Sequence, residues 1–181
     1  MAALALAFFT TVYSLQKGPG FGAVRVGAWT CWPRLGGPEI DPYARAVVAT
    51  DGALPLGQNE GIAFLATADD SGAPLDSRCD YEISGAPPPA RFWTLAAYDP
   101  EGRPRPNIAG RYGLISSGLL RASDGAYTIV AAREARPGNW LPLGEKSRFV
   151  LLLRAYQINA GAVTDLFDGL SLPHIQRGAC S

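Results

Sequence analysis

The feature that most constrains this chain is the regular breaking of short apolar stretches by turn-forming residues. Gly61 to Thr67 stops at Asp69-Asp70-Ser71-Gly72, and Arg91 to Tyr98 stops at Asp99-Pro100-Glu101-Gly102. Arg78 to Ser84 alternates, with Cys79, Tyr81 and Ile83 on one face and Arg78, Asp80 and Glu82 on the other. That period of two belongs to a half-buried strand. Pro87-Pro88-Pro89 then acts as a stiff spacer. Tyr112 to Ser116 reads as a short strand, and Asp124-Gly125 leads into a longer one over Ala126 to Ala132. Arg148 to Tyr156 is nearly continuous in apolar residues, which predicts a central strand. Ala23 to Trp29 alternates like a first strand.

One segment in this part of the chain carries helix signals. Asp41 stands at an N-cap position, Pro42 in the first turn, and Tyr43 to Ala49 follow before Asp51-Gly52 closes the run. Many short strands with a single helix predict a mainly β fold, a β-sandwich or jelly roll. The length, 181 residues, suits one domain.

The N-terminal run Met1 to Leu15 holds no charge. As a helix it would span ~22 Å, short of the ~30 Å hydrocarbon core. It lacks the basic stretch and the small-residue cleavage site of a secretory signal. Three readings remain: an uncleaved signal anchor, which is the expectation here, a degenerate signal peptide, or a buried helix of a soluble domain. Gly18-Pro19-Gly20 ends it. The predicted boundaries are an anchor helix over 1–16, a linker with the first strand and short helix over 17–60, a β-sandwich core over 61–158, and a tail over 159–181.

Composition narrows function by exclusion. Charged residues are only 18% of the chain, and 16 basic side chains balance 16 acidic ones. A nucleic-acid binder needs a basic surplus, so no nucleic-acid partner is expected. There is one histidine, His174, with no nucleophile motif beside it. No Gly-x-Ser-x-Gly elbow, phosphate-binding glycine loop or Cys-x-x-Cys pair is present. Neither a metal nor a cofactor is expected, and the chain is expected not to be an enzyme.

The three cysteines, Cys31, Cys79 and Cys180, permit at most one internal bridge in three possible pairings. Cys79–Cys180 is preferred, because it would pin the end of the chain and leave Cys31 free beside Trp32; three reduced thiols are the alternative. Arg154 interrupts the predicted central strand, and a charge there calls for a partner, with Asp80 or Glu82 as candidates. An Arg154–Asp80 ion pair is expected, with a ligand-anchoring arginine as the alternative. Trp93, Arg111, Asn139 and Trp140 are the candidate ligand contacts, since Trp stacks on sugars and Asn hydrogen-bonds to them; a tryptophan that caps the core is the plainer reading. Asp80 and Glu82, two apart on one strand face, form a minor candidate pair for glycan hydrolysis.

These pieces, taken in order, resemble the uncharacterised bacterial family known as domain of unknown function 1214. The resemblance runs from about Gly61 to Tyr156. It rests on Cys79-Asp80-Tyr81, Phe92-Trp93-Thr94, Tyr98-Asp99 with Gly102, Asn107 with Arg111-Tyr112, Asp124-Gly125, Gly138-Asn139-Trp140-Leu141-Pro142, and Phe149, Leu151, Leu153-Arg154 and Tyr156. The segment from Trp29 to Glu60 is similar to the short, membrane-anchored members. The resemblance implies a jelly-roll-like β-sandwich and transfers no activity.

The expectation is therefore a non-enzymatic accessory or structural subunit. An N-terminal helix would hold it at the bacterial inner membrane, with its globular domain in the periplasm and integral membrane proteins as partners. A carbohydrate or small-ligand module of the envelope is the alternative. Lys17, Arg25 and Arg34 follow the anchor, which by the positive-inside rule favours the opposite orientation; the expected disulfide and the resemblance point outward.

Overall fold

The computed structural model describes residues 2–16, 22–51, 55–57, 59–85, 88–145, 147–158 and 172–180. Helix α1 spans Ala2–Gln16, followed by strands β1 (Val24–Val26) and β2 (Trp29–Cys31) and helix α2 (Pro42–Asp51). Strands β3 (Gly61–Ala66), β4 (Cys79–Gly85), β5 (Phe92–Tyr98) and β6 (Gly113–Ile115) come next. After them lie β7 (Tyr127–Ala132), β8 (Asn139–Pro142), β9 (Val150–Tyr156) and β10 (His174–Cys180).

The chain is mainly β, with two sheets. One has six strands in the order β1-β2-β3-β9-β5-β6, the other four in the order β10-β4-β7-β8. Alternation explains both. Leu151, Leu153 and Ala155 of β9 are buried while Val150, Leu152, Arg154 and Tyr156 are half-buried on the other face. Cys79, Tyr81 and Ile83 of β4 are buried, with Asp80 and Glu82 outside. The inward rows of both sheets, with Phe64, Trp93, Ile129, Leu141 and Ile175 among them, merge into one apolar core.

Strand β9 sits between β3 and β5, pairing antiparallel with each, as its apolar run predicts. Asp41 caps α2: its carboxylate accepts from the Tyr43 and Ala44 amides at 2.8 and 3.1 Å. Three expectations are corrected. Ala23 to Trp29 is not one strand but a hairpin, turned by Gly27 at φ 58°. Asn139 to Pro142, not among the expected strands, is β8, paired parallel with β7. An all-antiparallel jelly roll contains no such pair. The predicted tail ends in β10, an edge strand on β4, because Ile175 reaches the core; residues 159–171 of that tail lie outside the described residues.

Among the described residues no helix is long and apolar enough to cross a membrane. Helix α1 nevertheless leaves Leu4, Leu6, Phe8 and Phe9 each more than two-thirds exposed.

Candidate functional site

Described residues between β2 and β3, among them helix α2, lie over the outer face of the six-stranded sheet. Ala44 and Val47 are the buried stripe of α2, three residues apart on one helix face. Beneath the helix lies a cavity of about 330 Å³. Val47 and Val48 of α2 form its roof; Ala63 and Leu65 of β3 and Leu152 of β9 also line it. Trp32, Pro33, Leu35, Gly36, Pro55 and Leu56 of the cover, with Gly61 and Ile62 of β3, complete it.

Two glycines set its shape. A Cβ on Gly36 would collide with the Leu56 carbonyl, and one on Gly61 with the Ala155 carbonyl. A side chain at either position would push the cover off the sheet or β3 off β9. None of the described lining residues carries a titratable side chain. The cavity can therefore hold apolar matter, and its size falls at the lower end of the ~300–1,000 Å³ of ligand pockets.

A charge stands beside it. Arg154 pairs across the sheet with Ala63 on one side and Thr94 on the other. Its Nη1 donates to the Tyr98 hydroxyl at 3.2 Å, and its guanidinium lies 5.8 Å from the Tyr98 ring centre. The expected Arg154–Asp80 pair does not form. Asp80 is on β4 of the other sheet, where its Oδ2 meets Arg136 at 2.6 Å. The physical reason is facing: both residues point away from the core, on opposite outer surfaces.

The four candidate ligand contacts are not one cleft. Trp93 is 2% exposed and stacks on Tyr127 at 4.9 Å between ring centres. Asn139 is a clamp: its Oδ1 accepts from the Leu120 amide, and its Nδ2 donates to the Leu120 and Thr128 carbonyls. Trp140 is half-buried and its indole donates to the Ala132 carbonyl at 3.0 Å. Arg111 reaches the Trp140 carbonyl at 3.2 Å, so these two do meet. Of the two carboxylates on β4, Asp80 is held by Arg136 and Glu82 is exposed.

Cys79 and Cys180 are joined in a disulfide, and Cys31 is free and buried. Burial pushes the Cys31 thiol up to about 12, which removes its nucleophilic form at ordinary pH. His174 faces Asp70 across 3.0 Å on the surface. Tyr127 also titrates high through burial.

Arg105 was invisible to sequence reasoning. It is 6% exposed, and its guanidinium donates to the Leu143, Glu145 and Arg148 carbonyls and to the Ser77 and Ser147 hydroxyls. Burial lowers its pKa, and distant carboxylates only partly offset that. It fastens the β5–β6 connection to the segments before β4 and after β8. Asp69 is a second buried charge. Burial raises its carboxyl, but the Ser71 hydroxyl, the Ala73 amide and Arg177 outweigh this and lower it. Arg177 Nε lies 2.8 Å from it, tying β10 to the turn after β3.

Fold and site together define a two-sheet β domain with a roofed apolar cavity on one outer face. The family described as "Protein of unknown function (DUF1214)" matches residues 60–160, more than half of the chain, and the chain belongs to it. The crystal structure of the VPA0106 protein from Vibrio parahaemolyticus is similar, with TM-score 0.62 and 23% identity over 78% of this chain and 36% of that one. A crystal structure of an uncharacterised protein from Burkholderia cenocepacia aligns with TM-score 0.46 and 17% identity, over 94% of this chain and 40% of that one. The chain thus spans well under half the length of both solved proteins. No curated protein matches it.

Proposed function

We propose that this chain is a non-enzymatic, membrane-attached protein of the bacterial envelope, whose two-sheet domain docks to integral membrane proteins from the periplasmic side of the inner membrane. Helix α1 carries the reading. It has no acidic residue in its first turn and no basic one in its last. Its large apolar residues are exposed. The Thr10 hydroxyl donates to the Leu6 and Ala7 carbonyls at 2.9 and 3.0 Å, so that hydroxyl makes no demand on water. A helix that is apolar all round belongs in an apolar medium, lipid or other helices.

At 15 residues α1 reaches ~22 Å. Local bilayer thinning or neighbouring partner helices can meet that shortfall. The Cys79–Cys180 bridge supports an oxidising compartment.

The test is gentle solubilisation of native membranes, followed by isolation of the protein and mass spectrometry of what accompanies it. The expected result is residence in the membrane fraction with integral membrane proteins in fixed proportion. The double variant Leu4→Asp, Phe8→Asp is expected to leave that fraction with its fold intact. A wild-type chain found free of membranes, or a variant that stays in them, would overturn the proposal.

A further inference from the structure

Four arginines of this structure meet carboxylates: Arg78 with Asp76, Arg103 with Asp99, Arg136 with Asp80, and Arg177 with Asp69. Buried Arg105 meets carbonyls and hydroxyls instead, whereas the Arg154 guanidinium donates to the Tyr98 hydroxyl. Arg154 is half-buried on the central strand of the six-stranded sheet, and no described carboxylate lies within ion-pair distance of it. The residues across from it, Ala63 and Thr94, are uncharged. The next outward residue along its own strand, Leu152, lines the cavity under α2, and so does Ala63. A cation withdrawn from water onto an apolar surface is costly without a counter-charge, and the Tyr98 hydroxyl supplies only a dipole.

We propose that the cavity under α2, with Arg154 beside it, binds an amphipathic carboxylate: an alkyl chain between α2 and β3, with its carboxylate on the Arg154 guanidinium. Both halves of that ligand answer something on the page. The lining has no polar side chain other than the Trp32 indole, which suits a saturated chain. The guanidinium is a planar fork that matches a carboxylate in two hydrogen bonds. A sugar would leave its hydroxyls unpaired in such a cavity, and an alkylammonium would place like charges together. Helix α1 touches α2, so the cavity roof stands next to the attachment helix. The inference goes beyond membrane attachment and holds whether or not α1 enters a bilayer.

The test uses the full chain in phosphatidylcholine nanodiscs, or free in buffer should it not enter them. Two probes are compared: dodecanoate carrying a photoreactive diazirine at its chain end, and dodecanol carrying the same group. Crosslinks are mapped by mass spectrometry. The carboxylate probe is expected on peptides containing Val47-Val48, Leu65 or Leu152, displaced by plain dodecanoate and not by dodecyltrimethylammonium. Arg154→Gln is expected to weaken the carboxylate probe about tenfold while leaving the alcohol probe unchanged, as befits loss of one charge-assisted contact. Val48→Trp, which fills the cavity from the roof, is expected to suppress both probes while the disulfide and far-ultraviolet spectrum persist.

Crosslinks confined to α1 would overturn the cavity proposal and leave membrane attachment standing. Equal carboxylate labelling of wild type and Arg154→Gln, or loss of both probes in that variant, would also overturn it. Failure to enter nanodiscs, with the cavity still labelled, would overturn attachment alone.

Discussion

The outward faces of the two sheets differ, although their inward faces follow one rule. The four-stranded sheet shows solvent Asp80, Glu82, Thr128, His174 and Gln176; Asp80 meets Arg136, and the His174 ring meets Asp70. On the six-stranded sheet, strands β5 and β9 show Phe92, Tyr98, Val150, Leu152 and Tyr156 with Arg154 among them, and the edge strand β1 shows Arg25. Residues 32–36, 47–48 and 55–56 cover part of that face and leave a cavity beneath. The first surface is finished in water. The second is built to be covered, which is why the candidate site lies there and not on the carboxylate-bearing sheet.

The comparison is broken most severely through the tie that spans both sheets. Arg105→Met keeps the bulk but strands several buried carbonyls and hydroxyls, and is expected to cost about 4 kcal/mol. Equilibrium urea unfolding measures it; a loss below about 1 kcal/mol would show that those acceptors find water or one another.

A sharper comparison uses adjacent residues of β9. Leu151 is fully buried between the sheets, whereas Leu152 lines the outer cavity. Leu151→Ala is expected to cost about 3 kcal/mol, and Leu152→Ala less than about 1 kcal/mol, because Leu152 is only half-buried and has fewer packing contacts to lose. Equal losses in calorimetry would mean that the outer face is packed as tightly as the core.

The smallest effect is in acid. The Arg78 side chain beside Asp76, with the Arg78 amide, brings the Asp76 carboxyl down to about 2 from its ordinary 3.8. A depressed folded-state pKa stabilises above the ordinary value and is lost as pH falls through about 2. The urea midpoint is therefore expected to drop slightly more between pH 4 and pH 2 in the wild type than in Asp76→Asn. The pair is largely solvated, so the difference is small, and identical pH profiles would deny it any role.

Where side chains alternate against the core, the fold was legible in the residues. Strands β3, β4, β5, β7 and β9 and the Asp41 cap of α2 all lie where their patterns put them. Strands β8 and β10 escaped. β8 is four residues between Pro137-Gly138 and Gly144, and it pairs parallel with a neighbour chosen by tertiary packing. β10 buries one side chain, Ile175, and is otherwise exposed, so it has the composition of a tail.

The site was less legible than the fold. The period of two along β9 puts Arg154 on one face with Val150, Leu152 and Tyr156. It did not say which side of the sheet the group faces, and that decides whether Arg154 meets a carboxylate. The cavity depends on Gly36 lying against Leu56, twenty positions away in an aperiodic segment. Arg105 stands between two prolines in a loop, where no pattern marks a buried charge.

The late arrival of β9 governs the order of assembly. Strands β3 and β5 have no hydrogen bonds to each other; both pair with β9, which begins at Val150. A nascent chain that stops short of it has only the β1-β2-β3 and β5-β6 fragments of that sheet. The other sheet closes its edge later still, with β10. Closing the six-stranded sheet therefore depends on contacts distant in sequence, the kind of topology that slows folding.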